Sequence, residues 1–251
     1  MPSPVNPIVV IPARMASTRL PGKPLADIAG VPMIVHVWRR AMEAELGPVL
    51  VACAEQEIAD AIERAGGRAV LTRPDLPSGS DRVHAAVEAV DPKGSHDVVL
   101  NVQGDLPALD PKLLSAVLSV LDDPIIDIGT LAVVIREEAE RTASSVVKAV
   151  VSAPIGARHG RALYFSRSAV PWGEGPLYHH IGLYGFRRHA LARFVSLAPT
   201  PLEQRERLEQ LRALENGMRI EVAFVDTVPL GVDTPDDLAR ARLRLAHPSP
   251  R

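Results

Sequence analysis

Short runs of branched apolar residues, each followed by a stretch at helical spacing, constrain this chain more than any other feature. Ile8-Val9-Val10-Ile11, Val49-Leu50-Val51-Ala52-Cys53 and Val98-Val99-Leu100 are unbroken apolar runs, and Ala69-Val70-Leu71-Thr72 is a further short strand-like stretch. Unbroken apolarity is what a strand covered on both faces requires. Between the runs, residues 31–46 carry Ile34, Trp38, Ala41 and Met42 at helical spacing and stop at Gly47, and residues 55–65 stop at Gly66-Gly67. Strand–helix alternation predicts an α/β fold around a mostly parallel sheet with right-handed crossovers. Such a sheet gathers its strand carboxyl ends along one edge, where open α/β sheets bind ligands.

The loop leaving the first run is Pro12-Ala-Arg-Met-Ala-Ser-Thr-Arg-Leu-Pro-Gly-Lys-Pro24. Three prolines stiffen it, Arg14, Arg19 and Lys23 place cations on it, and Ser17 and Thr18 add hydroxyl and N–H groups. Polyphosphate is the ligand that best suits a rigid loop of converging cations and donors; a solvated surface loop is the alternative. No G-x-x-x-x-G-K-[ST] is present and no G-x-G-x-x-G follows the first strand, so neither a P-loop nor a dinucleotide-binding Rossmann motif is signalled. With 251 residues, 47% of them apolar, the chain has ample material for a core. A net charge of −2 argues against a general nucleic-acid binder. Cys53, the only cysteine, allows no intramolecular disulfide, fits a reducing cytoplasm and reads as a core residue. No apolar run approaches the roughly 18 residues of a membrane-spanning helix. The start lacks the regions of a signal peptide, and residues 1–6 and 247–251 are expected to be loose tails.

Polar residues gather at other strand ends. Asn101, Gln103, Gly104 and Asp105 follow the run at 98–100. An Asp at a strand tip is costly to hold unless it meets water, a cation or a helix N-terminus; a turn-forming Asp before Pro107 is the plainer reading. Far along the chain, Thr234 with Pro235 and Asp237 reads as a helix cap, which leaves Asp233 just outside the helix. Both carboxylates sit beside strand-like runs, so the sheet edge can bring them together, where they would repel unless a cation lay between them. Ser78, Gly79 and Ser80 can bring backbone and hydroxyl groups to a planar base, while Asp81 and Arg82 can equally be capping and surface charges of the helix predicted at 83–90.

From residue 144 the texture becomes β-rich, with runs such as Val146–Val151 in the sequence, then 162–168 and 179–186, joined by Gly and Pro. Residues 145–200 are therefore read as a mixed-sheet insertion, and Phe165, Trp172 and Phe186 within it as candidates for a dimer contact. Alternation puts His180, Gly182 and Tyr184 on one face of their strand, a polar niche of sugar size. Thr200-Pro-Leu-Glu203 is a capping box that opens a helix expected to reach Gly217. Its core face is Leu208, Leu211 and Leu214, so the helical wheel puts Glu209 and Gln210 in solvent.

Taken in order from Ile8 to Arg244, these stretches resemble one family. I-P-A-R-M-A-S-T-R-L-P-G-K-P-L at 11–25 is similar to the signature loop of the 3-deoxy-manno-octulosonate (Kdo) cytidylyltransferases. S-G-S-D-R at 78–82, N-V-Q-G-D at 101–105, L-E-Q-L-R at 208–212 and G-V-D-T-P-D-D-L at 231–238 resemble further motifs of that family. One position departs: Leu106 stands where the family pattern has Glu.

The resemblance implies a three-layer nucleotidyltransferase fold over residues 7–246, with 145–200 as an inserted sugar-binding and dimerisation subdomain of a homodimer. It implies transfer of the cytidylyl group of CTP to Kdo, with release of pyrophosphate, as a cytoplasmic step toward lipopolysaccharide. Lys23, Arg19, Asp105 and Asp233 would be catalytic, and Asp105 and Asp233 would hold Mg²⁺. Arg14, Ser17, Arg19, Lys23, Arg73, Ser78, Gly79, Ser80 and Gln103 would take the nucleotide. Gln103, Arg167, His180, Tyr184, Glu209 and Gln210 would orient the sugar acid. No nucleic acid and no membrane insertion are expected. The rival enzyme reading is a cytidylyltransferase for another acidic ketosugar, a sialic acid or an amino-substituted Kdo. A nucleotide-binding regulator without turnover is the other class, against which Lys23, Asp105 and Asp233 speak.

Overall fold

The computed structural model describes residues 6–17 and 19–246; Thr18, residues 1–5 and residues 247–251, with most of the two expected tails, lie outside the described residues. By its internal contacts the described chain divides into two compact units, one of residues 6–114 with 229–246 and one of Ser115–Val228.

The first unit opens as the apolar runs predict. β1 (Pro7–Ala13) leads through a two-stranded hairpin of β2 (Asp27–Ile28) and β3 (Val31–Pro32) into α1 (Met33–Met42). There follow β4 (Val49–Cys53), α2 (Gln56–Arg64), β5 (Arg68–Leu71), α3 (Gly79–Val90) and β6 (Val98–Asn101). The four long strands lie in the order β5-β4-β1-β6, all parallel, with Val10 paired to Leu50 on one side and Asn101 on the other. Every residue of β4 and β6 is buried, which is why these runs carry no polar alternation. The helix expected at 31–46 begins later, because Val31 and Pro32 pair back to Asp27 and Ile28.

α4 (Lys112–Ser119) carries the chain into the second unit. Here stand β7 (Ile128–Val134), α5 (Glu138–Thr142), β8 (Lys148–Ser152), β9 (His159–Ser166), β10 (Tyr178–Arg187), α6 (Arg188–Ser196), α7 (Pro201–Glu206), α8 (Gln210–Glu215) and β11 (Ile220–Phe224). The order is β10-β7-β11-β9-β8, and β8 pairs again with β10, so the pairings close on themselves. Only β7 and β11 are parallel. The whole is a mixed α/β fold.

Two expectations need correction here. Phe165 and Phe186 are core residues, and of the three aromatics read as a dimer contact only Trp172 is exposed. The helix expected from Thr200 to Gly217 is broken: Arg207 adopts the left-handed conformation, φ 56°, and α7 and α8 lie on either side of it. Residues 207–209 lie outside both helices, so a wheel begun at Leu208 does not describe α8, and Gln210, its first residue, is buried rather than solvated.

After residue 228 the chain returns to the first unit. α9 (Pro235–Ala246) packs Leu238 and Ala241, with Val232 before it, against Ile28 and Met33. Arg242 Nε donates to the carbonyl of Asp27 at 2.9 Å. This packing delivers Asp233 to the β1 loop.

Candidate active site

The loop after β1 is held from within and from α2. The Met15 N–H donates to the Glu55 carboxylate at 3.0 Å, and the Leu20 N–H to Ser17 Oγ at 3.4 Å. Gly22, φ 69°, turns the chain into a single 3₁₀ turn at Lys23–Leu25 with Pro24 at its start. That turn aims Lys23 at two carboxylates. Its Nζ donates to Asp105 Oδ2 at 2.7 Å and to Asp233 Oδ1 at 3.0 Å, and Arg19 pairs with Asp233 Oδ2 at 3.0 Å. Burial alone would draw the Lys23 pKa down, but the Asp105 carboxylate and then Asp233 outweigh it and hold the ammonium above its ordinary value.

Asp105 reaches this point because β6 lies beside β1 and Gly104 lets the two chains close. A Cβ on Gly104 would lie 2.7 Å from the Pro12 carbonyl oxygen. The Val232 N–H donates to the Asp105 carbonyl at 3.0 Å, which ties the two carboxylate-bearing loops together. Asp233 is placed by the cap of α9: Asp237 accepts from the N–H groups of Asp233 at 3.1 Å and Thr234 at 2.9 Å.

These side chains line a cavity of about 400 Å³ together with Arg14, Ser17, Ser78, Gly79, Arg82 and Gln103. Ser78 Oγ accepts from the N–H groups of Ser80 and Asp81 and donates to Asp81 Oδ2 at 2.7 Å, so it caps α3 while lining the cavity. Arg73 turns to Asp75 in solvent, and neither Arg73 nor Ser80 is among the lining residues. Arg82, read from sequence as a capping or surface charge, is buried. It donates to Thr72 Oγ1 and to the carbonyls of Arg73 and Pro74, and burial lowers its pKa. The signal that could have found it is its place as the last residue of S-G-S-D-R.

Two carboxylates within hydrogen-bonding distance of one ammonium are a place made for a cation. No group of three or more His, Cys, Asp or Glu side chains suited to a metal stands among the described residues. Leu106, where the family pattern has Glu, is buried and adds no donor. A pair of hard oxygens with room for phosphate and water suits Mg²⁺ better than a metal that needs an all-protein cage.

The second unit holds a polar cluster of another kind. His180 is buried, meets Thr130 Oγ1 through Nε2 at 3.0 Å, and packs edge-on against Phe165 with ring centroids 4.7 Å apart. Its ring centroid is 5.6 Å from that of Tyr184. Burial first, and the Glu209 carboxylate second, push the Tyr184 phenol above its ordinary pKa. Arg167 does not point at open space: Nε donates to the Glu206 carbonyl at 2.9 Å and the terminal nitrogens to the carbonyls of Ser144 and Arg207. It clamps the break between α7 and α8, as does Glu206, whose carboxylate takes Ser166 Oγ at 2.7 Å and the Arg167 N–H at 3.0 Å. Lys148, wholly buried, caps carbonyls of Ala143, Val146 and Arg167 at 2.7, 2.8 and 3.2 Å. The sequence carries no local mark of Thr130, Glu206 or Lys148.

Residues 8–220 match the cytidylyltransferase family model. A 3-deoxy-manno-octulosonate cytidylyltransferase of Parvibaculum lavamentivorans is 70% identical over 244 residues, 97% of this chain and 94% of the relative. One from Rhodospirillum rubrum is 70% identical over 240 residues, 95% of each chain. Among solved structures, a CMP:2-keto-3-deoxy-manno-octonic acid synthetase complexed with CTP superposes with a TM-score of 0.88 at 38% identity, over 96% of this chain and 98% of that one. A nucleotidyl transferase of Methanothermobacter, at 16% identity and TM-score 0.61 over 96% of this chain and 97% of that one, shares the fold. The chain belongs to the cytidylyltransferase family, among relatives named 3-deoxy-manno-octulosonate cytidylyltransferases.

Proposed function

We propose that this chain transfers the cytidylyl group of CTP to the anomeric hydroxyl of Kdo, giving CMP-Kdo and pyrophosphate for lipopolysaccharide synthesis. The observation that carries the reading is the cavity in which Arg14, Arg19 and Lys23 stand beside the convergent Asp105 and Asp233. The sugar hydroxyl attacks the α-phosphorus and releases its proton to water, while the bond from that phosphorus to the oxygen bridging the β-phosphate breaks and its electrons leave on pyrophosphate. Arg14, Arg19 and Lys23 take the charge that grows on the leaving pyrophosphate. Ser78 and Gly79 meet the base at the start of α3, where Arg82 fixes the preceding loop. Asp105 and Asp233 would hold Mg²⁺, which when bound neutralises triphosphate charge and acidifies a hydroxyl that it contacts.

His180, Tyr184, Glu209 and Gln210 orient the sugar acid; Arg167 serves them by holding the break at Arg207. Residues 145–200 form the dimerisation subdomain, since Trp172 and Ile155 leave large apolar side chains fully exposed there for a second copy to cover. No helix among the described residues is long and apolar enough to cross a membrane, and the cytoplasm is the proposed site of action. Pyrophosphate release over a panel of nucleotides and sugar acids tests the assignment. Release should need CTP and Kdo together; equal turnover with a sialic acid, or faster turnover with UTP, would overturn it.

A further inference from the structure

Thr130 lies in mid-β7 with no exposed surface, opposite an irregular part of β10. Pairing passes from Ile181↔Leu131 directly to Gly185↔Gly129, so Gly182, Leu183 and Tyr184 stand against the single Thr130. Across this irregular part the His180 and Tyr184 ring centroids stand 5.6 Å apart.

The Thr130 hydroxyl meets three partners: the Leu183 carbonyl at 2.9 Å, the Ile181 carbonyl at 3.2 Å and His180 Nε2 at 3.0 Å. It has one hydrogen to give. Given to the imidazole, that hydrogen would leave two carbonyl oxygens facing a hydroxyl lone pair at 3.2 and 2.9 Å with no hydrogen between them. Given to a carbonyl, it leaves the oxygen free to accept, and Nε2 must then carry a proton.

We propose that Thr130 is a positioning residue that pins the β10 bulge and fixes His180 as its Nε2–H tautomer, so that Nδ1 offers a lone pair to a ligand hydroxyl. The ring is neutral: burial, and after it the neighbouring His179, push the His180 pKa down to about 3. A neutral imidazole with Nδ1 as acceptor selects a hydroxyl and gains nothing from a carboxylate. The ligand half of this inference rests on the reading of His180 as a sugar contact; the tautomer half does not.

Long-range ¹H–¹⁵N correlation on ¹⁵N-histidine-labelled protein tests the lock, with the His180 signals assigned by their loss in His180→Gln. The wild type and Thr130→Ser should show protonated Nε2 and bare Nδ1, and the near-isosteric Thr130→Val a mixture of tautomers. Kinetically, Thr130→Val should raise KM for the sugar acid about tenfold, the worth of one well-placed hydrogen bond, with KM for CTP unchanged and Thr130→Ser close to wild type. A wild-type ring protonated at Nδ1, or a Thr130→Val enzyme with an unaltered tautomer and sugar KM, overturns the proposal. If the tautomer is as expected but His180→Gln leaves the sugar KM unchanged, the sugar-contact reading falls and takes the ligand half with it, while the lock stands.

Discussion

The two polar clusters of this protein are built on opposite plans. Around Lys23 the groups are charged, partly solvated and satisfied by one another: one ammonium shared by two carboxylates, with Arg19 alongside. Around His180 the ring and the hydroxyl beside it are uncharged and buried, with Thr130 inside the sheet holding the imidazole and two carbonyls, and Phe165 against the ring. A site for polyphosphate and a cation must exchange its ion pairs for new ones, so its charges are kept where exchange costs little. A site that tells one sugar hydroxyl from another needs donors and acceptors fixed in advance, which burial supplies and which makes each group expensive to remove. Substitution in the first cluster should cost activity and spare stability. Around the second it should cost stability as well.

The largest effects are expected at the carboxylates. Asp105→Asn and Asp233→Asn should each lower kcat/KM by about 100-fold or more, with Tm in the absence of metal nearly unchanged. Lys23→Ala should cost about 2–4 kcal/mol of transition-state stabilisation; a loss below about tenfold in kcat/KM would remove its phosphate role. It also leaves Asp105 facing Asp233 with no ammonium between them, so Mg²⁺ should raise the Tm of Lys23→Ala more than that of the wild type.

In the second unit the contrast is tested by Arg212, whose guanidinium grips Glu203 with Nε at 2.9 Å from one carboxylate oxygen and its terminal nitrogen on the other. Arg212→Met should destabilise by about 3 kcal/mol, read from denaturant unfolding, because it strands a buried carboxylate. Acid should act on the same unit. Burial would raise the Glu203 and Glu206 carboxyls, but Arg212 for one, and the Arg167 N–H with Ser166 for the other, hold both below the ordinary 4.5. Depressed carboxyls contribute stability that is present above 4.5 and lost as pH falls through their folded values, so Tm should drop below that pH, and less steeply in Glu203→Gln. The smallest effect is expected for Arg73→Ala, which loses an exposed pair with Asp75 and should leave KM for CTP within about twofold. A large rise there would return Arg73 to the nucleotide site.

What the sequence discloses follows the same division. Ile8–Ile11 and 49–53 announce buried parallel strands because burial on both faces forces apolarity at every position, and from there strand order places Asp105 beside Lys23. Asp233 is legible through the cap formed by Thr234 and Asp237. The second unit depends on pairings that local composition does not record. Nothing near Arg207 foretells a left-handed residue, since Arg is neither Gly nor Asn, and so Gln210 is misplaced by the wheel. The bulge opposite Thr130 is a property of two strands in register, invisible in either alone. Arg82 and Lys148 are buried against carbonyls of the irregular segments just before them, and irregular backbone has no period for a sequence to display.

The central claim is that Asp105 and Asp233 act as one cation-holding unit, and a double-mutant cycle on Mg²⁺-dependent pyrophosphate release tests it most directly. If they share one ion, Asp105→Asn with Asp233→Asn should be little worse than either single variant, because the first substitution already forfeits what the second would remove. Strict additivity of the two losses, or full activity of either single variant at saturating Mg²⁺, would contradict it.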